Sequence, residues 1–149
     1  MRMGEICVRN VVCAHRKMTI EEAAQLMRSR HVGDVIVVDS TARGPVPVGI
    51  VTDRDIVVEI VAAGLEPRQI SLGDINGADL ITASEDQGIF DTIQQMQHNG
   101  IRRMPVVDKQ GALLGIISTD DLLQFLAIQF RGLSNVAVRE RRQEAEVRP

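Results

Sequence analysis

The chain has very little aromatic character: its 149 residues include no tryptophan, no tyrosine and only three phenylalanines. A groove for single-stranded nucleic acid needs aromatic rings on which bases stack, so this class of site is excluded. Duplex binding needs a basic surface, but the net charge is −3 and the basic run near the C-terminus alternates with glutamates. Such alternation is typical of a solvated helix face. We therefore expect no nucleic-acid partner.

Long apolar runs and metal-ligand clusters are also lacking. No segment approaches the roughly 18 apolar residues of a membrane span, and Glu5 and Arg9 interrupt the N-terminus before a signal-peptide core could form. The expectation is a cytoplasmic protein without a membrane partner. Cys7 and Cys13 have no histidine partners nearby, so neither a zinc site nor a disulfide is expected. No metal site and no catalytic dyad is predicted.

What the sequence does contain is an internal repeat. Residues 11–39 align with residues 80–108 at an offset of 69, without a gap, and the run VVD is identical in both. After a longer loop in the first copy, predicted at residues 40–47, the offset falls to 66. The equivalent pairs are then Gly49 and Gly115, Ile50 and Ile116, and Asp55 and Asp121. The chain is therefore a duplicated unit of about 55 to 60 residues.

Each copy has the pattern strand, helix, strand, strand, helix. Apolar residues recur at helical spacing after Thr19, and Thr19 with Glu22 has the sequence of a capping box. Short strands are predicted at 10–14 and 79–83, buried strands at 34–39 and 103–108, and their partners at 46–51 and 112–117.

The closing helix of the first copy has a local sequence that also suits a strand. Residues 56–64 are rich in β-branched side chains and could form a strand by propensity alone. The equivalent residues 122–130 favour a helix, and the alignment transfers that preference to the first copy. Gly64 and Gly132 would then end the two helices.

These elements predict an α/β fold of the α+β type. Two tandem β-α-β-β-α repeats, at residues 5–65 and 74–130, are expected to pack about a pseudo-two-fold axis because neither could bury its sheet alone. Two clefts would lie between them. The tail at 131–149 is compatible with either a helix or a flexible segment.

The repeated segments TDRD (52–55) and STDD (118–121) have two interpretations. A hydroxyl residue three positions before an acid is a capping box, which helices use for stability alone, worth about 0.5–2 kcal/mol. Alternatively, the free amides of a helix start attract phosphate, while a carboxylate accepts hydrogen bonds from two sugar hydroxyls. The motif therefore also suits a ribose phosphate.

The motifs GIVTDRD (49–55) and GIISTDD (115–121), each preceded by a VVD strand, resemble those of a tandem pair of CBS domains, also called a Bateman module. The resemblance covers roughly residues 5 to 130. We expect a stand-alone regulatory protein of this kind that requires no cofactor, and not an enzyme, because the sequence shows no catalytic dyad or metal cluster. The resemblance also implies two clefts for adenosyl ligands: AMP, ADP, ATP, S-adenosylmethionine or NAD-type molecules.

The resemblance further implies which residues form the clefts, because each cleft of the family joins the motif of one copy to the adenine wall of the other. Cleft A would contain Thr52, Arg54, Asp55, Ile81, Thr82, Arg102, Arg103 and Met104. Cleft B would contain Ser118, Asp120, Asp121, Val12, Cys13, Gly33, Asp34 and Val35. Cys13 occupies a position where the family usually has a hydroxyl residue.

The two clefts are expected to differ in charge. Arginine suits bidentate phosphate contacts, so cleft A, with three arginines, is predicted to bind the nucleotide. The carboxylates of cleft B repel a phosphate unless Mg²⁺ or another divalent cation intervenes. Cleft B is therefore expected to be empty, weak or occupied by a less anionic ligand. In the alternative interpretation, the arginines of cleft A are solvated surface residues.

Both closing helices are more apolar than one buried face requires. Such helices are covered on two sides, which predicts a homodimer through them. The apolar residues are Ile56, Val57, Val58, Ile60 and Val61 in the first copy, and Leu122, Leu123, Phe125, Leu126, Ile128 and Phe130 in the second.

Three functions remain open at this stage. The first is an adenine-nucleotide sensor that signals to an unknown effector protein, the second is an interaction module with unoccupied clefts, and the third is an enzyme such as a nucleotide hydrolase. The third would need a base or metal cluster that the sequence does not show.

Overall fold

The structure, a computed structural model, describes residues 1–76 and 79–148. Residues 77, 78 and 149 of the predicted second repeat and tail lie outside the described residues. The chain divides into two compact units, residues 1–117 and a second unit that begins at Ser118. The elements are α1 (Met3–Ile6), β1 (Cys13–His15), α2 (Ile20–Arg30), β2 (Asp34–Thr41), β3 (Gly44–Thr52), α3 (Asp53–Asp55), a π-helix (Ile56–Val61), α4 (Leu72–Ile75), β4 (Ala83–Ser84), α5 (Ile89–Asn99), β5 (Arg103–Val107), β6 (Leu113–Ser118) and α6 (Thr119–Val147).

The strands form two three-stranded sheets, ordered β1-β2-β3 and β4-β5-β6. In both sheets the first strand of the repeat pairs in parallel with the second, and β2 pairs antiparallel with β3. The predicted two-repeat α/β fold is therefore confirmed. The short strands β1 and β4 begin at Cys13 and Ala83, later than the predicted starts at residues 10 and 79.

Helix α2 begins as its sequence indicates. The Glu22 amide donates to Thr19 Oγ1 at 3.2 Å, and the Thr19 amide donates to Glu22 Oε2 at 2.9 Å. The bond from the Thr19 amide, together with a bond from the Thr19 hydroxyl to the same carboxylate oxygen at 3.1 Å, holds the pKa of Glu22 below its usual value. The capping box starts the helix where Ile20, Ala23 and Met27 face the core.

The loop predicted at residues 40–47 is instead mostly strand. Strand β2 continues to Thr41 and β3 begins at Gly44, which leaves a two-residue turn between them. Pro45 and Pro47 fit into β3 because it lies at the edge of its sheet, where a missing amide donor is tolerated. Proline and glycine content alone could not reveal this edge position, so the prediction was wrong.

The two closing helices differ from each other. Residues 56–61 are helical, as the alignment indicated, but with π-type hydrogen bonds. Gly64 follows in the left-handed conformation, with φ 68°, and ends the helical segment as predicted. Helix α6 instead passes through Gly132 and continues to Val147, so the predicted end at Gly132 was wrong. A glycine inside a helix costs only about 1 kcal/mol, which is too little to stop it.

The N-terminal segment, residues 2–8, packs on the second repeat rather than on the first. The Met3 amide donates to the Gln87 carbonyl, and the Gly4 amide donates to the Glu85 carbonyl, each at 2.9 Å. The Met3 side chain is fully buried. The second repeat is thus completed by residues that precede the first.

The linker segment, residues 70–76, packs on the first repeat in the equivalent way. The Leu72 amide donates to the Met18 carbonyl at 2.8 Å, and the Gly73 amide donates to the Arg16 carbonyl at 2.9 Å. Leu72 belongs to the buried core of the first repeat. These two bonds repeat the two bonds of the N-terminal segment: at the offset of 69, Leu72 is equivalent to Met3 and Met18 is equivalent to Gln87. The repeats therefore exchange their leading segments.

This exchange explains the repeated glycine of the two motifs. A Cβ atom on Gly115 would lie 2.6 Å from the Val8 carbonyl oxygen and 2.8 Å from Cys7 Sγ. A Cβ atom on Gly49 would overlap the side chain of Asn76, whose Nδ2 donates to the Val48 carbonyl at 2.9 Å. Both glycines are required because an exchanged segment crosses directly over them.

We predict that Gly115→Ala lowers the free energy of unfolding by about 1–3 kcal/mol, because the added methyl group meets backbone that cannot move aside. Urea denaturation monitored by circular dichroism measures this change. Gly132→Ala is the matched control, since nothing lies within 4 Å of its Cβ position. It should stabilise the protein by about 0.5–1 kcal/mol as a helix-interior substitution. Equal effects of the two variants would contradict the proposed close approach.

Candidate ligand-binding site

Both repeated motifs form the capping box that their sequences indicate. The Thr52 amide donates to Asp55 Oδ2 at 2.9 Å, and the Asp55 amide donates to Thr52 Oγ1 at 3.1 Å. Ser118 and Asp121 form the same pair of bonds at 2.9 and 3.1 Å. An ionised carboxylate has about four lone-pair sites, so the capping bond to Oδ2 leaves acceptor capacity on Oδ1. The capping and sugar-binding interpretations are therefore compatible.

A cavity of about 620 Å³ lies between the two repeats within the first unit. Its volume falls within the range of about 300–1,000 Å³ that is usual for small-molecule sites. The lining residues are Gly49, Ile50, Thr52, Asp53, Arg54, Asp55, Asn76, Asp79, Leu80, Ile81, Gly100, Ile101, Arg102 and Arg103.

The cavity brings together most of the residues predicted for cleft A. From the first copy, Thr52, Arg54 and Asp55 all line it, and from the second copy the lining includes Ile81, Arg102 and Arg103. Thr82 is not among the lining residues, and the side chain of Met104 is fully buried.

Sequence reasoning missed the contribution of the linker segment and of the residues that follow it. Asn76, Asp79 and Leu80 all line the cavity. A signal was available, because the offset of 69 also relates residues 3–6 to residues 72–75, with Gly4 and Gly73 identical. The repeat therefore starts earlier than the predicted boundaries, and its leading segment reaches the cavity.

The charge of the cavity also differs from the expectation of a cation-rich cleft. Its three arginines are accompanied by three aspartates, of which Asp53 and Asp79 had been assigned no role. Carboxylates of this kind offset the attraction that the guanidinium groups exert on a phosphate. The prediction that this cleft binds the charged nucleotide stays a prediction, and the arginines and aspartates of the lining act on a phosphate in opposite directions.

Asp34 and Arg103 form an ion pair, although the sequence placed them in different clefts. Arg103 Nε lies 2.9 Å from Asp34 Oδ2, and the Asp34 side chain is only 19% exposed. The two residues occupy equivalent positions in the repeat, at the offset of 69. Equivalent residues meet only at a two-fold or pseudo-two-fold axis, so this contact marks the axis between the repeats. The assignment of the two residues to different clefts stays a prediction; the ion pair shows that the two side chains meet between the repeats.

The environment of Asp34 raises its pKa above the usual value. Burial is the largest cause, and the neighbouring Asp53 carboxylate adds to it, whereas the charge of Arg103 acts in the opposite direction. The ion pair therefore compensates only part of the cost of removing the carboxylate from water.

The residues predicted for cleft B come from both compact units. In the first unit, Val35 is fully buried and Cys13 is exposed. Partial burial raises the pKa of the Cys13 thiol. In the second unit, Ser118 caps α6 through Asp121. The joining of these residues into a second cleft stays a prediction.

Residues 1–76 and 79–148 contain neither a metal-binding cluster nor a membrane-spanning helix. No three or more histidine, cysteine, aspartate or glutamate side chains are placed to hold a metal ion there. No helix in this part of the chain has the length and apolar content needed to cross a membrane.

We predict that Asp34 titrates above the ordinary aspartate value of about 3.9. In Arg103→Gln the pKa should rise further, because the neighbouring positive charge is lost; in Asp53→Asn it should fall, because a repelling carboxylate is lost. Carboxyl ¹³C chemical shifts followed by NMR measure both changes. Shifts of the same sign in the two variants would contradict the described electrostatics.

Comparison with known proteins gives a consistent result. The family model for the CBS domain matches the chain twice, at residues 3–62 and 72–128. An uncharacterized protein of Methanopyrus kandleri is 35% identical over 122 residues, which are 82% of this chain and 61% of that protein. The chain thus spans less than two thirds of the length of this relative.

Solved structures show the same fold. A CBS domain pair in complex with 5′-methylthioadenosine and S-adenosyl-L-methionine has a TM-score of 0.73 and 25% identity, covering 87% of this chain and 98% of that chain. A hexameric CBS-CP12 protein from bloom-forming cyanobacteria has a TM-score of 0.71 and 30% identity, covering 83% and 69% respectively. With both halves matched by the family model and the exchanged two-repeat fold in place, the chain belongs to the CBS domain family as a tandem pair.

Proposed function

We propose that this CBS domain pair is a regulatory module that binds an adenine nucleotide, AMP, ADP or ATP, in the cavity between its repeats. The observation that carries the proposal is the position of Asp55. It lies in α3, directly after strand β3 of the first repeat, caps the start of that helix through the Thr52 amide, and lines the same cavity as Ile81 of the second repeat. One ligand in that cavity would therefore touch both repeats.

The lining offers a partner for each part of such a ligand. Asp55 Oδ1 suits the two hydroxyls of a ribose, because a carboxylate accepts from adjacent donors. The apolar side chains of Leu80 and Ile81 suit a purine ring. The guanidinium groups of Arg54 and Arg103 suit phosphate oxygens. Mg²⁺ could accompany the phosphates, but no cofactor is required by the proposal.

Ligand binding at this position provides a route to regulation. A ligand that contacts both repeats shifts the equilibrium between their relative arrangements toward the one that binds it better. A separate effector protein of unknown identity would respond to that change in the cytoplasm. Among the described lining residues there is no histidine, cysteine or lysine, so we propose regulated binding rather than catalysis.

Two alternatives remain within the same site. S-adenosylmethionine is favoured by the similar CBS domain pair that was solved with that ligand and 5′-methylthioadenosine, and an NAD-type molecule shares the adenosyl group. An interaction module with an unoccupied cavity is the other alternative. Thermal unfolding with each ligand separates these cases, since only a bound ligand stabilises the folded state.

We predict that a nucleotide at 100 times its dissociation constant stabilises the wild-type protein by about 2.7 kcal/mol, and that Asp55→Asn abolishes most of this effect. Calorimetric titration with AMP, ATP and S-adenosylmethionine identifies the ligand. Asp74→Asn is the matched control, because Asp74 accepts from the Ser71 amide at 2.8 Å in a similar capping box that does not line the cavity. Undiminished binding by Asp55→Asn would refute the assignment.

We also propose that the protein forms a homodimer through its closing helices. In the π-helix Val57 and Val61 are 57% and 65% exposed, and in α6 Leu123 and Phe130 are 65% and 67% exposed. Apolar surface of this extent on consecutive helical turns is typical of a protein interface. The similar CBS-CP12 protein is hexameric, so at least one protein with this fold forms an oligomer.

For the dimer we predict that Val61→Glu weakens self-association by at least tenfold, because a charge would enter an apolar contact. Analytical ultracentrifugation at micromolar concentration measures the dissociation constant. Phe90→Glu serves as the control: Phe90 is 71% exposed but belongs to α5, outside the proposed interface. A monomeric wild-type protein under these conditions would exclude the homodimer.

A further inference from the structure

The ion pair at the pseudo-two-fold axis is the strongest feature of the cavity that the proposed function does not use. Arg103 lines the cavity, while its Nε lies 2.9 Å from Asp34 Oδ2. A charge on Arg103 that is already balanced by a carboxylate attracts a phosphate less strongly than an isolated charge does. Asp34 thus competes with any anionic ligand for the same guanidinium group.

The surroundings of Asp34 strengthen this competition. The Asp34 side chain is 19% exposed. Asp39, which lies on the same strand β2 and forms an ion pair with Arg16, has a side chain that is 46% exposed. Screening by water is weaker at the less exposed site, so Asp34 acts more strongly on neighbouring charges.

The Asp53 carboxylate lies near the ion pair of Asp34 and Arg103, and Asp53 lines the cavity. The Asp53 amide donates to the Gly33 carbonyl at 2.9 Å, which holds the start of α3 against the start of β2. A Cβ atom on Gly33 would lie 3.2 Å from Asp53 Oδ2. Each negative charge added to a ligand is therefore met by repulsion from Asp34 and Asp53 as well as by attraction to the arginines.

We propose that Asp34 determines the charge preference of the cavity, so that nucleoside monophosphates bind better than nucleoside triphosphates. Asp34 balances the charge of Arg103, and the extra phosphates of a triphosphate then lack a positive partner at the axis. The inference rests on the proposed function, because it assumes that this cavity holds the phosphates of a nucleotide. It adds a specificity-determining residue that does not itself line the cavity.

The test is a comparison of ATP, AMP and adenosine affinities, measured by calorimetric titration without divalent cations. Asp34→Asn should increase the affinity for ATP by about tenfold, the effect of one partly screened charge, and that for AMP by less than about threefold. The affinity for adenosine should be unchanged. In Arg103→Gln the Asp34→Asn substitution should raise the ratio of ATP to AMP affinity by less than in the wild type, because only the direct repulsion between Asp34 and the phosphates is then removed. A merely structural ion pair would not produce this dependence on ligand charge.

Two further variants control the experiment. Asp39→Asn, which breaks the exposed pair with Arg16, should leave all three affinities unchanged. Asp34→Ser removes the charge with a different side chain, so that a folding defect specific to asparagine does not decide the result.

The outcomes separate this inference from the function on which it rests. One outcome would overturn the inference alone: ATP binding is lost in Asp55→Asn, but the ratio of ATP to AMP affinity is the same in Asp34→Asn as in the wild type. A lower ratio in that variant would also overturn it. Failure of all three ligands to bind either the wild type or Asp34→Asn would overturn both proposals.

Discussion

The exchange of leading segments between the two repeats is the constraint on which the rest of the structure depends. Each repeat is completed by residues that precede the other one, and the close approach is possible because Gly49 and Gly115 have no side chain. The linker segment also carries Asn76 to the wall of the cavity. Burial of Met3 and Leu72 in the partner repeats makes this arrangement stable. The cavity thus exists only when both repeats are folded together, which is what a ligand-responsive module requires.

At the pseudo-two-fold axis, the two copies of the repeat have residues of opposite charge at equivalent positions. Residues on such an axis face their own equivalents, so a charged residue retained in both copies would repel itself. Here one copy has Asp34 and the other has Arg103, and repulsion is replaced by an ion pair. The same substitution makes the two sides of the axis electrostatically different. A duplicated fold can in this way acquire unequal sites without any change in its architecture.

The repeated motif has a structural role that is compatible with the proposed ligand binding. The Asp55 carboxylate caps a helix through Oδ2 and retains acceptor capacity on Oδ1, so the capping bond leaves one oxygen of the group available to the proposed ligand. Two copies of a capping box therefore cannot, by themselves, distinguish a binding site from a stable helix start. The cavity next to Thr52 and Asp55, which is also lined by residues of the other repeat, is the observation that supports the proposed binding site.

Periodicity and local hydrogen bonding were enough to predict the duplication, the order of elements in each copy and the capping boxes, because neighbouring residues record these features directly. Most of the cavity lining, including Thr52, Asp55 and Ile81, was predicted from the resemblance of the sequence to CBS domain pairs. Only the tertiary structure decided the edge position of β3, the continuation of α6 through Gly132, the exchange of segments and the pairing of Asp34 with Arg103. The physical reason is that each depends on contacts between residues distant in the chain, or on small energies that packing outweighs.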